Sequence, residues 1–175
     1  SFDTHIGHDY LIDYEERYQA YHKKEDLIPF DLEYFNKITK GGLPNKTLNI
    51  ALAGTGVGKS LFMCHVASSA LLGGKNVLYI TAEMAEEKIA ERIDANLLNV
   101  PIQEITDLPK VMFEDKVTKL SQKTQGTLII KEYPTATAHA GHFKSLLNEL
   151  ALKKSFRPDI IFIDYLNICA SSRYR

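Results

Sequence analysis

Residues 53–60 read AGTGVGKS, between the apolar run Leu48-Asn49-Ile50-Ala51-Leu52 and a stretch of helical composition that opens at Leu61. A strand, a glycine-rich loop and a helix in that order bind phosphate, because loop N–H groups and the helix N-terminus face the same anion. Gly54, Gly56 and Gly58 permit close backbone approach and positive φ. Lys59 is placed to reach the β- and γ-phosphates of a nucleotide, and the Ser60 hydroxyl to ligate Mg2+. The usual pattern opens on glycine, and here position 53 is alanine. A negative φ makes that change harmless, and Gly54 supplies the flexibility. The expected phosphate-binding stretch is therefore Ala53, Gly54, Thr55, Gly56, Val57, Gly58, Lys59 and Ser60.

Two acids complete the chemistry. Asp164 ends the apolar run Ile160-Ile161-Phe162-Ile163, and ligands of open α/β sheets bind beyond the carboxyl ends of the strands. A carboxylate there holds Mg2+ through water, since this cation prefers oxygen and keeps much of its hydration. Many nucleotide hydrolases carry a second acid next in sequence to activate water, but here the neighbour is Tyr165. The general base must come from elsewhere. Glu83 follows the run Leu78-Tyr79-Ile80-Thr81 and is expected at the same sheet edge, within reach of a water attacking the γ-phosphate. A capping or surface carboxylate is the alternative. Glu86 and Glu87 read as solvated helix-start acids, and Thr135, after the turn at Tyr133-Pro134, is a weaker candidate for lining the site. The pairs His5/His8 and His139/His142 have a spacing that suits a metal on a helix, but neither has a third ligand at convincing spacing.

These groups need elements to carry them. Apolar runs predict buried strands at 48–52, 76–81, 127–131 and 159–165. Helical periodicity predicts helices at 61–72, 85–99, about 109–123 and around 143–152, the first ended by Gly73-Gly74. Continuous apolar strands alternating with amphipathic helices argue for an α/β fold with a mainly parallel sheet covered on both faces. Ahead of it, residues 9–24 place Tyr10, Leu11, Tyr14, Tyr18 and Tyr21 on one helical stripe. That helix either folds back on its own domain or docks on another subunit.

With 45% hydrophobic and 25% charged residues over 175 positions, the composition is that of a soluble globular domain. No apolar run approaches the ~20 residues of a membrane helix, and no basic-then-apolar secretory signal opens the chain. Cys64 and Cys169 lack metal or redox spacing and read as free thiols in a reducing compartment. A formal charge of −1 gives no bulk nucleic-acid footprint. Ser1 in place of Met points to an interior fragment or a processed chain.

PFDLEYFNKITKGGL, AGTGVGKS, the strand ending TAEM, and DIIFIDYLNI together resemble the DnaB-like replicative helicases, the bacteriophage members most in detail. The resemblance covers nearly the whole chain. It implies a RecA-like P-loop motor of a ring-shaped homo-hexamer that hydrolyses ATP with Mg2+, translocates on single-stranded DNA and unwinds duplex at a replication fork. By resemblance, Lys59 and Ser60 bind phosphate and Mg2+, Glu83 activates water and Asp164 organises the metal. Residues 1–28 correspond to a linker with its amphipathic helix at about 9–24, and 29–175 to the N-terminal part of the ATPase domain.

The family's sensor strand, DNA-binding loops and arginine finger are expected beyond Arg175, and a primase-contacting domain before Ser1. The fold is thus expected to be incomplete at its C-terminus and to belong to a longer polypeptide. Its sheet is expected to have a gap between the loop strand and the Asp164 strand. Primase and a helicase loader are the further partners implied, no membrane is involved, and the location implied is the cytoplasm (the host's, if phage-encoded). A RecA-like recombinase or related DNA-dependent ATPase is the alternative, with a small-molecule kinase behind it.

Overall fold

The computed structural model describes residues 7–53, 58–133 and 140–164. In chain order the elements are α1 (Tyr14–His22), β1 (Leu27–Ile28), α2 (Glu33–Ile38), β2 (Leu43–Pro44), α3 (Lys59–Leu72) and β3 (Val77–Thr81). They continue with α4 (Glu86–Leu97), α5 (Ile102–Ile105), α6 (Lys110–Ser121), β4 (Leu128–Glu132), α7 (Ala140–Lys154) and β5 (Ile160–Asp164). The main sheet has the order β4-β3-β5 with both pairings parallel. Every residue of β3 is buried, as a central strand covered on both faces requires.

The alternation along β3 divides the core. Val77 and Tyr79 point to the side of α3 and α4, where they pack with Cys64, Ala67, Ala70, Ile89 and Ile93. Leu78 and Ile80 point the other way, toward Leu146 and Leu150 of α7 and toward Phe156. Ile89 and Ile93 stand one helical turn apart, which is why α4 presents one apolar face to the sheet. Helix α3 starts on Gly58, whose φ of 91° is a left-handed conformation that suits glycine. It ends at Gly73, where the backbone N–H donates to the Ser69 carbonyl at 2.9 Å.

The segment leading to the loop is strapped to this core. β1 and β2 pair antiparallel, Ile28 opposite Leu43. Phe35 of α2 lies between Phe30 and Phe62 at ring distances of 5.5 and 5.4 Å. His65 of α3 contacts the Asp31 carboxylate at 2.8 Å, while its other ring nitrogen meets the Asn96 side chain at 2.8 Å. One imidazole thereby ties the strap to both α3 and α4.

The structure differs from the sequence expectations in several places, and β1, α2 and β2 are elements that the sequence reading did not include. Residues 48–52 form no strand, and Leu48, Ile50 and Leu52 are 82%, 67% and 91% exposed. A strand needs a laddered neighbour; both edges of β3 are taken by β4 and β5, and 48–52 ladders with neither of these. The first helix is shorter than 9–24, because the Asp9 carboxylate accepts the N–H groups of Leu11 and Ile12 and makes a turn ahead of α1. No residue of α1 is buried, so it does not fold back on the described core. Helix α7 is longer than expected, and the single-turn α5 was not anticipated.

Gly42 offers a test of the strap. Its φ is 134°, and an added Cβ would stand 2.2 Å from the Ile28 carbonyl oxygen. Gly42→Ala is expected to cost about 2–4 kcal/mol, from backbone strain plus a clash that only a main-chain shift relieves. Calorimetry of the full-length polypeptide checks this; an unchanged unfolding midpoint would rule out the close approach.

Candidate nucleotide site

Thr81, Glu132 and Asp164 stand in register at the carboxyl ends of β3, β4 and β5, so one edge of the sheet collects the polar groups. The Ala82 N–H donates to the Asp164 carbonyl at 2.9 Å, which carries the ladder one residue further. Asp164 is 6% exposed. A carboxylate so deeply placed is tolerated where a hydrogen-bond donor and a cation face it. Both partners are present. The Tyr79 hydroxyl donates to Oδ2 at 2.9 Å, and the Lys59 ammonium lies 3.9 Å from Oδ1.

Strand alternation explains this geometry. Tyr79 is opposite Phe162, and the two rings stack at 5.8 Å with 16° between their planes. Asp164 is two residues beyond Phe162, hence on the same face, at the diagonal distance that a tyrosine spans. Lys59 reaches the same point from above, because α3 begins there and packs over that face. Burial is the main reason that the Tyr79 hydroxyl ionises far above its ordinary range, with Cys64 and Asp164 adding to it. The Cys64 thiol is also pushed up by burial, partly offset by its 3.8 Å contact to the Tyr79 oxygen.

Glu83 stands two residues past β3, exposed at this edge. Its turn is closed from inside. The Thr81 hydroxyl accepts the Met84 N–H at 3.1 Å and donates to the Met84 carbonyl at 2.9 Å. Ser60 lies half-buried in the first turn of α3, next to Lys59. Ala53 and Gly58 are described, whereas Gly54, Thr55, Gly56 and Val57 lie outside the described residues, as do His5, Thr135, His139, Tyr165 and Cys169.

Glu86 corrects the expectation of a solvated acid. It is half-buried, and its carboxylate accepts the Glu132 N–H at 3.0 Å, tying the start of α4 to the end of β4. Tyr79 was not foreseen either. The signal available was a hydroxyl inside a wholly apolar strand, which must find a partner when buried. His8, Asp13 and Glu16 bring one ligand atom each within 4.8 Å of one another, but the His8 Nε2 already accepts from Arg17 at 2.9 Å.

Among the described residues, the Asp164 carboxylate and the Ser60 hydroxyl are hard oxygen ligands of the kind Mg2+ takes. The Lys59 ammonium beside Asp164 is a cation of the kind a phosphate takes. A spectroscopic consequence follows from the buried phenol. The ultraviolet titration of the parent minus that of Tyr79→Phe is expected to show no tyrosinate step near the ordinary tyrosine value of about 10. A full step there would mean that the hydroxyl is solvated and not held on Asp164.

Comparison with known proteins identifies the family. The DnaB-like helicase C-terminal domain matches residues 28–175. The DnaB-like replicative helicase of Enterobacteria phage T4 is 51% identical over 100% of this chain and 38% of its own length. The DNA repair protein RadA of Campylobacter jejuni is 31% identical over 98 residues, which is 54% of this chain and 21% of RadA. The chain thus spans well under half the length of either relative. With the family match running from the strap through the phosphate-loop helix to β5, the chain belongs to the DnaB-like helicase C-terminal domain family, a RecA-like fold.

Proposed function

We propose that this chain carries the ATP-hydrolysing centre of a hexameric replicative helicase, which spends ATP to move along single-stranded DNA and open the duplex at a fork. The observation that carries the reading is the meeting of Lys59 and Asp164, 3.9 Å apart although they are distant in sequence. In this reading the backbone of Gly54, Thr55, Gly56, Val57 and Gly58, entered from Ala53, cradles the phosphates. Lys59 neutralises the β- and γ-phosphates. Ser60 and Asp164 hold Mg2+, Asp164 through water, and the metal when bound offsets the charge that develops on the transferred phosphoryl group. Glu83 takes the proton of the attacking water. Its exposure on the closed 81–84 turn supports that role, because a base must reach solvent water and bound phosphate alike.

The family supports single-stranded DNA as the track and further copies of the chain as the rest of the ring. In this reading primase and a helicase loader act with it in the cytoplasm, the host's if the chain is phage-encoded. Tyr14, Tyr18 and Tyr21, 63%, 64% and 72% exposed on α1, support a linker helix that packs on the neighbouring motor. No helix of the described residues is long and apolar enough to cross a membrane. The similarity to RadA favours the recombinase class as second reading, but it reaches only 54% of the chain.

Two measurements on the full-length polypeptide test the proposal. ATP turnover is expected to rise severalfold with single-stranded DNA and to drive opening of a forked duplex. Absence of stimulation would remove the motor while leaving a nucleotide site. Glu83→Gln is expected to keep ATP binding and to lower turnover by at least about 100-fold, the usual worth of a general base. Turnover near the parent rate would place the base elsewhere.

A further inference from the structure

We propose that Tyr79 is a positioning residue for metal binding: its hydroxyl pins one oxygen of Asp164 so that the other is presented to the metal and phosphates. The proposal rests on the reading of Asp164 as the Mg2+-organising acid. A carboxylate turns readily about its last torsion, which is broad and two-fold. Here that freedom is removed from one side. Tyr79 Oη holds Oδ2 at 2.9 Å, and Oδ1 is the oxygen that faces the Lys59 ammonium.

The holder is itself fixed. Tyr79 is fully buried in the central strand, with parallel ladders on both sides that anchor its backbone. Its ring stacks on Phe162, the residue two before Asp164, so ring and carboxylate ride on one strand pair. The Cys64 thiol of α3 donates to the phenol oxygen at 3.8 Å, leaving the phenol proton to Asp164. Phenylalanine would fill the apolar space between α3 and the sheet equally well, so the hydroxyl is explained only by the acid it meets. Outer hydrogen bonds of this kind orient metal-holding carboxylates in general. The same contact couples the phosphate-loop helix, through Cys64 and Tyr79, to the metal acid on β5.

The test is a Mg2+ titration of fluorescent N-methylanthraniloyl-ATP binding to the full-length polypeptide, with a parallel measurement in EDTA. Tyr79→Phe is expected to raise the Mg2+ half-saturation concentration about tenfold, the lower range for loss of such an outer partner. Nucleotide affinity in EDTA is expected to stay at the parent value, because Lys59 and the loop are untouched. An unchanged half-saturation in Tyr79→Phe, with a rise in Asp164→Asn, overturns the proposal and leaves the site reading intact. An unchanged half-saturation in Asp164→Asn overturns the site reading and the proposal together. Equal weakening with and without Mg2+ in Tyr79→Phe also overturns it, since that is the mark of lost packing. Should the phenylalanine variant fail to fold, 4-fluorophenylalanine encoded at position 79 fills the hydroxyl's volume without donating. The same rise supports the proposal there, and the parent value overturns it.

Discussion

A carboxylate buried to 6% exposure at the end of a parallel strand is tolerated only where donors and a cation converge on it, and much of this structure arranges that convergence around Asp164. Leaving one of its oxygens without a partner would cost about 1–3 kcal/mol, comparable with a large share of a domain's net stability. The phenol of Tyr79 meets one oxygen and the Lys59 ammonium approaches the other. One partner comes from the central strand and the other from the helix packed on the same sheet face, so the site and the core share one set of contacts. Among the described residues no buried side-chain nitrogen or oxygen lacks a partner.

The arrangement also separates what is fixed from what is accessible. Lys59, Tyr79 and Asp164 sit on α3, β3 and β5, which are held by continuous ladders and by the apolar cluster of Val77, Cys64, Ile89 and Ile93. Glu83 sits one step outside, exposed, on a turn that Thr81 closes from within. Glu86 then secures the far end of that turn to β4. Charge is therefore placed on rigid elements, as positioning of a proposed ligand requires, while the proposed base stays where water can reach it. The His65 link carries the same rigidity outward to the strap that precedes the loop.

Most of this was legible in the sequence where one strong period operated. The run NVLYIT announced a fully buried strand, and Ile89 with Ile93 announced the face of α4. Gly58 and the Gly73-Gly74 pair marked both ends of α3, and Gly58 and Gly74 take left-handed backbone with φ of 91° and 81°. Lys59 and Asp164 were each readable as members of one site because loop and strand-end positions are defined by local pattern, but their pairing was not foreseen. The alternation along 48–52 was misleading, because apolar composition does not tell whether a neighbouring strand is there to ladder with. Tyr79 escaped notice, and Glu86 was read as solvated, for a different reason. Their partners, Asp164 and the Glu132 N–H, are set by strand register and helix docking, which no local window of sequence encodes.

The central claim is that Lys59 and Asp164 bracket a metal-bound triphosphate. It is tested most directly by a crystal structure of the full-length polypeptide with a non-hydrolysable ATP analogue and Mn2+ in place of Mg2+. The account predicts the anomalous Mn2+ peak between the Ser60 hydroxyl and Asp164, the terminal phosphates on Lys59, and the Tyr79 hydroxyl still on Asp164. A metal or triphosphate located away from this edge, or Asp164 turned from it, would contradict the account.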